Sequence, residues 1–139
     1  MDITTDEIMF WDQWIQLLPL YEAFKNRLSK AYPDMKIKVS KSQISFYNQH
    51  MFAMVSPPVR RRKGWPKEFM LISFGLPYQV ISPKIAMSSE AYPNRWTHHV
   101  IAENAEAIDE TLLAWIDEAY SFSESKRQIC QIRPSMPSP

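Results

Sequence analysis

The chain predicts an α+β fold, an antiparallel sheet of about five strands with N-terminal helices and a C-terminal helix packed on it. Three observations predict this. Apolar residues recur at spacings of three and four near both ends of the chain. They alternate with polar residues through the middle, and most of the middle segments follow one another without an intervening helix. Parallel neighbours would need long crossovers, so directly consecutive strands pair antiparallel.

At the start, Thr5-Asp6 offers side-chain oxygens that can cap a helix, and Ile8, Trp11, Ile15 and Leu18 form one apolar stripe behind them. Pro19 has no N–H for a helix interior, so a break or kink is expected before a second segment. That segment's stripe is Leu20, Phe24, Leu28 and Ala31, and Tyr32-Pro33-Asp34 ends it.

The period then falls to two. Ile37 and Val39 alternate with Lys36, Lys38 and Ser40, and Ile44 and Phe46 alternate with Gln43, Ser45 and Tyr47. Asn48-Gln49-His50 reads as a turn into a strand from Met51 to Val55. Phe69-Met70-Leu71-Ile72-Ser73-Phe74 is apolar enough to be buried on both faces. From Gly75 to Asn94, prolines at 77, 83 and 93 and the Ser88-Ser89 pair break any period, which predicts an irregular excursion rimming a site.

A strand from Arg95 to Ala102 follows. Asn104 is then expected to cap a helix that buries Ile108, Leu112, Trp115, Ile116 and Ala119, with Glu106, Asp109 and Glu110 near its positive end. The three prolines after residue 133 argue against further packing. Residues 1–128 are therefore expected to form one domain and residues 129–139 a flexible tail.

Bulk properties narrow the function classes. The 139 residues are 45% hydrophobic and 22% charged, ordinary values for a folded domain. Sixteen basic against fifteen acidic side chains give a net charge of +1, so any attraction to a polyanion must be local. Cys130 is the single cysteine, the acidic start does not resemble a signal peptide, and no apolar run approaches a membrane span. A cytoplasmic location without membrane contact is expected. With two glycines in all, the chain has no phosphate-cradling loop, dinucleotide fingerprint or Gly-x-Ser-x-Gly turn, and no cofactor is expected.

Two stretches carry candidate binding residues. The first is Arg95, Trp96, His98 and His99. Neighbouring strand residues point to opposite faces, so His98 and His99 cannot readily chelate one ion without a third ligand from His50 or a carboxylate, and no metal site is expected. Thr97, His99 and Ile101 share one face, Trp96, His98 and Val100 the other. If the second face is open, Trp96 and His98 with Arg95 can stack on and hydrogen-bond a planar or anionic ligand; the ordinary role of such residues is packing. The second stretch is Arg60, Arg61, Arg62, Lys63 and Trp65, followed by Lys67: five basic groups in eight residues around an aromatic. Arginine forks suit phosphate or carboxylate, and an indole can stack on a base, although such a run is more often a solvated loop.

Three functions follow as expectations. The leading one is a non-enzymatic cytoplasmic binding or interaction domain, with a groove on the sheet for a small ligand or protein partner. The second is a nucleic-acid-associated accessory protein using residues 60–67. The third is a small enzyme built around His98 or His99, disfavoured because no nucleophile motif accompanies them.

The order Val39-Ser40-Lys41-Ser42-Gln43-Ile44-Ser45-Phe46, then Phe52-Ala53, Trp96-Thr97-His98-His99, Ile108-Asp109 and Ala119-Tyr120 resembles the small bacterial family of uncharacterised domains numbered 5655. The resemblance spans roughly residues 20 to 122. It implies a compact α+β domain with an antiparallel sheet and helices at both chain ends, and it implies no activity. The first helix and the Pro-Ser tail go beyond the family pattern and leave room for an added partner-binding role.

Overall fold

Alternation in the middle of the chain builds a six-stranded sheet in the computed structural model, which describes residues 3–59 and 62–132, with side chains of the last helix through Glu124. The strands are β1 (Lys36–Val39), β2 (Ile44–Tyr47), β3 (Met51–Ser56), β4 (Met70–Leu76), β5 (Met87–Tyr92) and β6 (Arg95–Ala102). Their order is β1-β2-β3-β4-β6-β5, and every neighbouring pair is antiparallel. The predicted class is therefore the observed one, with one strand more than expected.

The additional strand, β5, lies inside the stretch read as irregular. Pro93 and Asn94 form a two-residue turn that returns β5 onto β6, with Tyr92 opposite Arg95 and Asn94 in the left-handed region at φ 62°. Asparagine tolerates that conformation better than most residues. The strand has Ser88, Ser89 and Glu90 in its middle and is mostly exposed, so it carries no apolar alternation that would announce it. The irregular segment shrinks to residues 77–86.

Register decides which side chains face the helices. One row across the sheet runs Ile37, Phe46, Ala53, Phe74 and His98. Phe46 meets Tyr21 and Phe24 at ring separations of 6.5 and 5.7 Å, and Phe74 stacks on Trp115 at 5.9 Å, so this row lies under the helical layer. The next row, Lys38, Ser45, Met54, Ser73, His99 and Met87, points the other way and has no helix over it. A bulge where β2 meets β3 turns Phe52 as well as Ala53 inward, where Phe52 packs on Tyr32 and Tyr120.

The N-terminal layer departs from the predicted stripe. Helix α1 covers only Thr5–Phe10, a 3₁₀ segment runs Asp12–Leu17, and α2 runs Leu18–Ala31. The cap is Thr4, whose hydroxyl accepts from Glu7 N–H while the Glu7 carboxylate accepts from Thr4 N–H. Non-helical backbone at Trp14 (φ −134°, ψ 50°) resets the phase. Ile8 and Ile15 are consequently exposed, while Trp11, Leu17 and Leu20 are buried. The expected break does precede a second segment, and Pro19 sits in the first turn of α2, where its missing N–H costs nothing. Within α2 the predicted Leu20, Phe24 and Leu28 are buried, whereas Ala31 is exposed.

The change of phase also buries a charge pair that the stripe did not show. Lys25 Nζ donates to Glu7 Oε1 at 2.7 Å, and the Tyr21 hydroxyl donates to Glu7 Oε2, all three residues being at most 1% exposed. Burial alone would raise the Glu7 pKa, but the hydrogen bonds from Lys25, Tyr21 and Thr4 outweigh it and hold the carboxyl below its ordinary value.

Helix α3 (Glu110–Ile132) begins later than predicted. Asn104 caps only a 3₁₀ turn at Ala105–Ala107, and the Asp109 carboxylate accepts the Leu112 N–H at 2.9 Å to cap α3 itself. The predicted face is right: Ile108, Leu112, Ile116 and Ala119 are buried and Trp115 is half-buried. The helix backbone continues through Ile132, past the residue where a tail was expected to begin. Residues 133–139, expected to be flexible, lie outside the described residues. No helix among the described residues is long and apolar enough to cross a membrane.

Candidate anion-binding site on the open sheet face

The strand stretch Arg95 to His99 divides between the two faces of the sheet as alternation requires. His98 lies on the helical face with no accessible surface. Its Nε2 accepts the Val80 N–H at 2.9 Å, which places the ring proton on Nδ1, and its ring stacks on Phe74 at 5.2 Å. Burial lowers its pKa, the Phe74 backbone opposes this in part, and neighbouring His99 adds to the lowering. His98 is thus a neutral latch that ties residues 77–86 to the sheet. Trp96, on the same face and half-buried, stands opposite Leu76. The condition for an exposed Trp96 and His98 ligand surface is not met.

The other face carries no helix, although Ser45 and Ser73 on it are buried, at 3% exposure each, and His99 is half-buried. There Arg95, Thr97 and His99 follow one another along β6, and His99 stands directly opposite Ser73 of β4. Ser73 Oγ and His99 Nδ1 are 2.7 Å apart. Burial lowers the His99 pKa, and the Arg62 guanidinium lowers it further by repelling the imidazolium. Through that repulsion the basic loop acts electrostatically on the histidine strand.

Local chemistry explains how. Trp65 N–H donates to the Arg62 carbonyl at 3.1 Å, closing a tight turn whose third residue, Gly64, has φ 91°. Such a turn needs a residue without a Cβ at that position. Trp65 then packs edge-on against Phe69 at 5.8 Å. Phe69 is 1% exposed yet lies outside the main core cluster, because it precedes β4 on the open side. This aromatic pair holds the loop against the sheet, so half-buried Trp65 acts as an anchor. Lys63 and Lys67 are exposed, and Arg60 and Arg61 fall outside the described residues.

Beside His99 the open face carries a depression of about 100 Å³ bounded by Met51, Met54, Ser73, Gly75 and Thr97. Gly75 makes the room, since a Cβ there would meet only the Trp96 carbonyl oxygen at 3.8 Å. The volume is well below the roughly 300–1,000 Å³ of pockets that enclose a whole small molecule. It suits one small polar group. Sequence reading missed Ser73, although it is the one polar residue in an otherwise apolar run, a signal that it faces something polar.

The pair lacks the third partner of a Ser-His-Asp triad among the described residues. Among the described residues no carboxylate hydrogen-bonds to His99, and Arg62 disfavours the imidazolium on which a serine nucleophile mechanism depends. No group of three or more histidine, cysteine, aspartate or glutamate residues among those described is placed to hold a metal ion.

Comparison with known proteins adds the family alone. No curated protein and no solved structure matches the chain. Residues 11–123 match the family described as Domain of unknown function (DUF5655), a span covering β1 through β6 and most of α3 up to Ser123. The chain belongs to that family of domains of unknown function.

Proposed function

We propose that the protein is a binding domain that holds a small anionic group, a phosphate or carboxylate of a larger partner, on the open face of its sheet. The observation that carries this reading is the Ser73 and His99 pair, 2.7 Å apart beside a depression of about 100 Å³, with the Arg62 charge acting on His99. Arg62 supplies a fixed charge with a planar donor fork. When an anion approaches, His99 takes up a proton, donating through Nδ1 to Ser73 and through Nε2 to the ligand. Thr97 adds a hydroxyl on the same face, and Lys63 and Lys67 add nearby positive charge. Binding and protonation are linked, so affinity rises as pH falls towards the lowered His99 pKa. A cytoplasmic setting belongs to the same reading, since anionic partners of this kind abound there.

The nucleic-acid form of this reading makes the anion a backbone phosphate. Titrating the full chain with inorganic phosphate, and separately with labelled mixed-sequence single strands at several salt concentrations, tests both. Native protein binds, while Arg62→Gln and His99→Ala each weaken binding by about tenfold, the scale of one charge-assisted hydrogen bond. For a nucleic acid, Arg62→Gln also lowers the slope of log affinity against log salt by about 0.7. No binding of either probe at low salt, or equal binding by the variants, overturns the proposal.

A further inference from the structure

A second, larger hollow lies elsewhere among the described residues, and its chemistry is opposite in sign. A groove of about 750 Å³ opens between the N-terminal helical segment and the turn joining β1 to β2. Its size falls within the range of sites that enclose a drug-sized ligand or a few peptide residues. One wall is apolar through Phe10 and Trp14, and the facing wall through Val39 and Val59. Met9 and Val59, on the rim, are 68% and 66% exposed. Large apolar side chains left bare around a concavity mark a surface that meets something.

The backbone break at Trp14 matters here. In a continuous helix the indole would follow the helical stripe; the non-helical φ and ψ turn it into the groove wall, half-exposed. Asp6 and Asp12 also line the groove, and neither has an ion-pair partner among the described residues. A half-exposed indole lining the same groove as two carboxylates attracts a cation by both charge and quadrupole. Lys41, on the opposite wall, is the one basic side chain lining the groove among the described residues.

We infer that this groove is a second binding site, for a peptide segment of a partner protein that carries a lysine or arginine between apolar residues. The cationic head sits between Asp6, Asp12 and the Trp14 ring, and the flanking aliphatic side chains cover Phe10, Val39 and Val59. The site shares no side chain with the open sheet face, so it stands or falls independently of the anion-binding reading.

The probe is N-acetyl-Leu-Lys-Leu-amide, titrated into the isotope-labelled full chain and followed by two-dimensional NMR, with N-acetyl-Leu-Glu-Leu-amide as the charge-reversed control. The expected result is saturable movement of the Trp14 indole N–H and of the amides of residues 6–14 and 39–42, with His99 signals unmoved. The glutamate peptide binds at least tenfold more weakly. Replacing Asp6 and Asp12 together by asparagine weakens the lysine peptide by about tenfold, the sum of two exposed ion pairs. Asp6 lies in the first turn of α1, so if the double variant unfolds, Asp12→Asn alone must still weaken binding by about threefold. Absence of saturable shifts, equal binding of the two peptides, or binding indifferent to Asp12→Asn overturns the inference.

Discussion

The buried Glu7, Lys25 and Tyr21 cluster shows how one residue can be costly to change without being valuable in itself. Removing one member of a buried ion pair leaves the other charge unsolvated, so Lys25→Met is expected to lose about 3–5 kcal/mol in urea unfolding. Neutralising the partner as well, in Glu7→Gln/Lys25→Met, should recover most of that loss. If the double variant is as weak as the single one, the cluster stabilises the fold through its charges. His98 gives a second expectation, with a definite sign. Its folded pKa lies below the ordinary 6.5, so between those two values the unfolded chain binds more protons than the folded one. Stability is complete above about pH 6.5 and falls as the pH drops through that window. His98→Leu removes the acceptor for the Val80 N–H, costing about 1–3 kcal/mol, and should flatten that part of the pH profile measured by urea unfolding between pH 5 and 8.

At the scale of elements, legibility followed periodicity. The face of α3 and the strands β1, β2 and β6 were readable from an apolar period, and β3 and β4 from short apolar runs bounded by turn residues. The N-terminal layer was misread because a 3₁₀ segment and the break at Trp14 shift the phase, and neither has a strong residue signature. Strand β5 was hidden because an edge strand with a polar middle is held by backbone bonds to β6, which leave no pattern. The phase of α3 can be checked directly. Leu112→Ala empties a buried position and should cost about 2–5 kcal/mol, whereas half-buried Leu113→Ala should cost clearly less. The reverse order would rotate the helix away from the sheet described above. The loop between β3 and β4 has its own test: Gly64→Val introduces strain at φ 91°, since β-branched residues avoid positive φ. It should displace Arg62 and move the His99 pKa upward while leaving the unfolding midpoint within a few degrees, because the loop is outside the core cluster.

Across the whole molecule, the candidate site was half visible in the sequence. Arg62 and His99 were each singled out, but they lie far apart in the chain, and the electrostatic effect of one on the other depends on the pairing of β4 with β6 and the anchoring of Trp65 on Phe69. Strand alternation had grouped the residues of β6 correctly by face; which face the helices cover was decided by packing of Phe46 and Phe74 beneath α2 and α3. The central claim is that the basic loop acts on the histidine strand across the open sheet face, and it is tested most directly by NMR titration of the histidine rings in native protein and Arg62→Gln. The native chain is expected to show a His99 pKa below 6.5, the variant a rise towards 6.5, and His98 no change between the two. A His99 titration curve that is the same in both proteins would contradict it, separating the loop from the strand and removing the site.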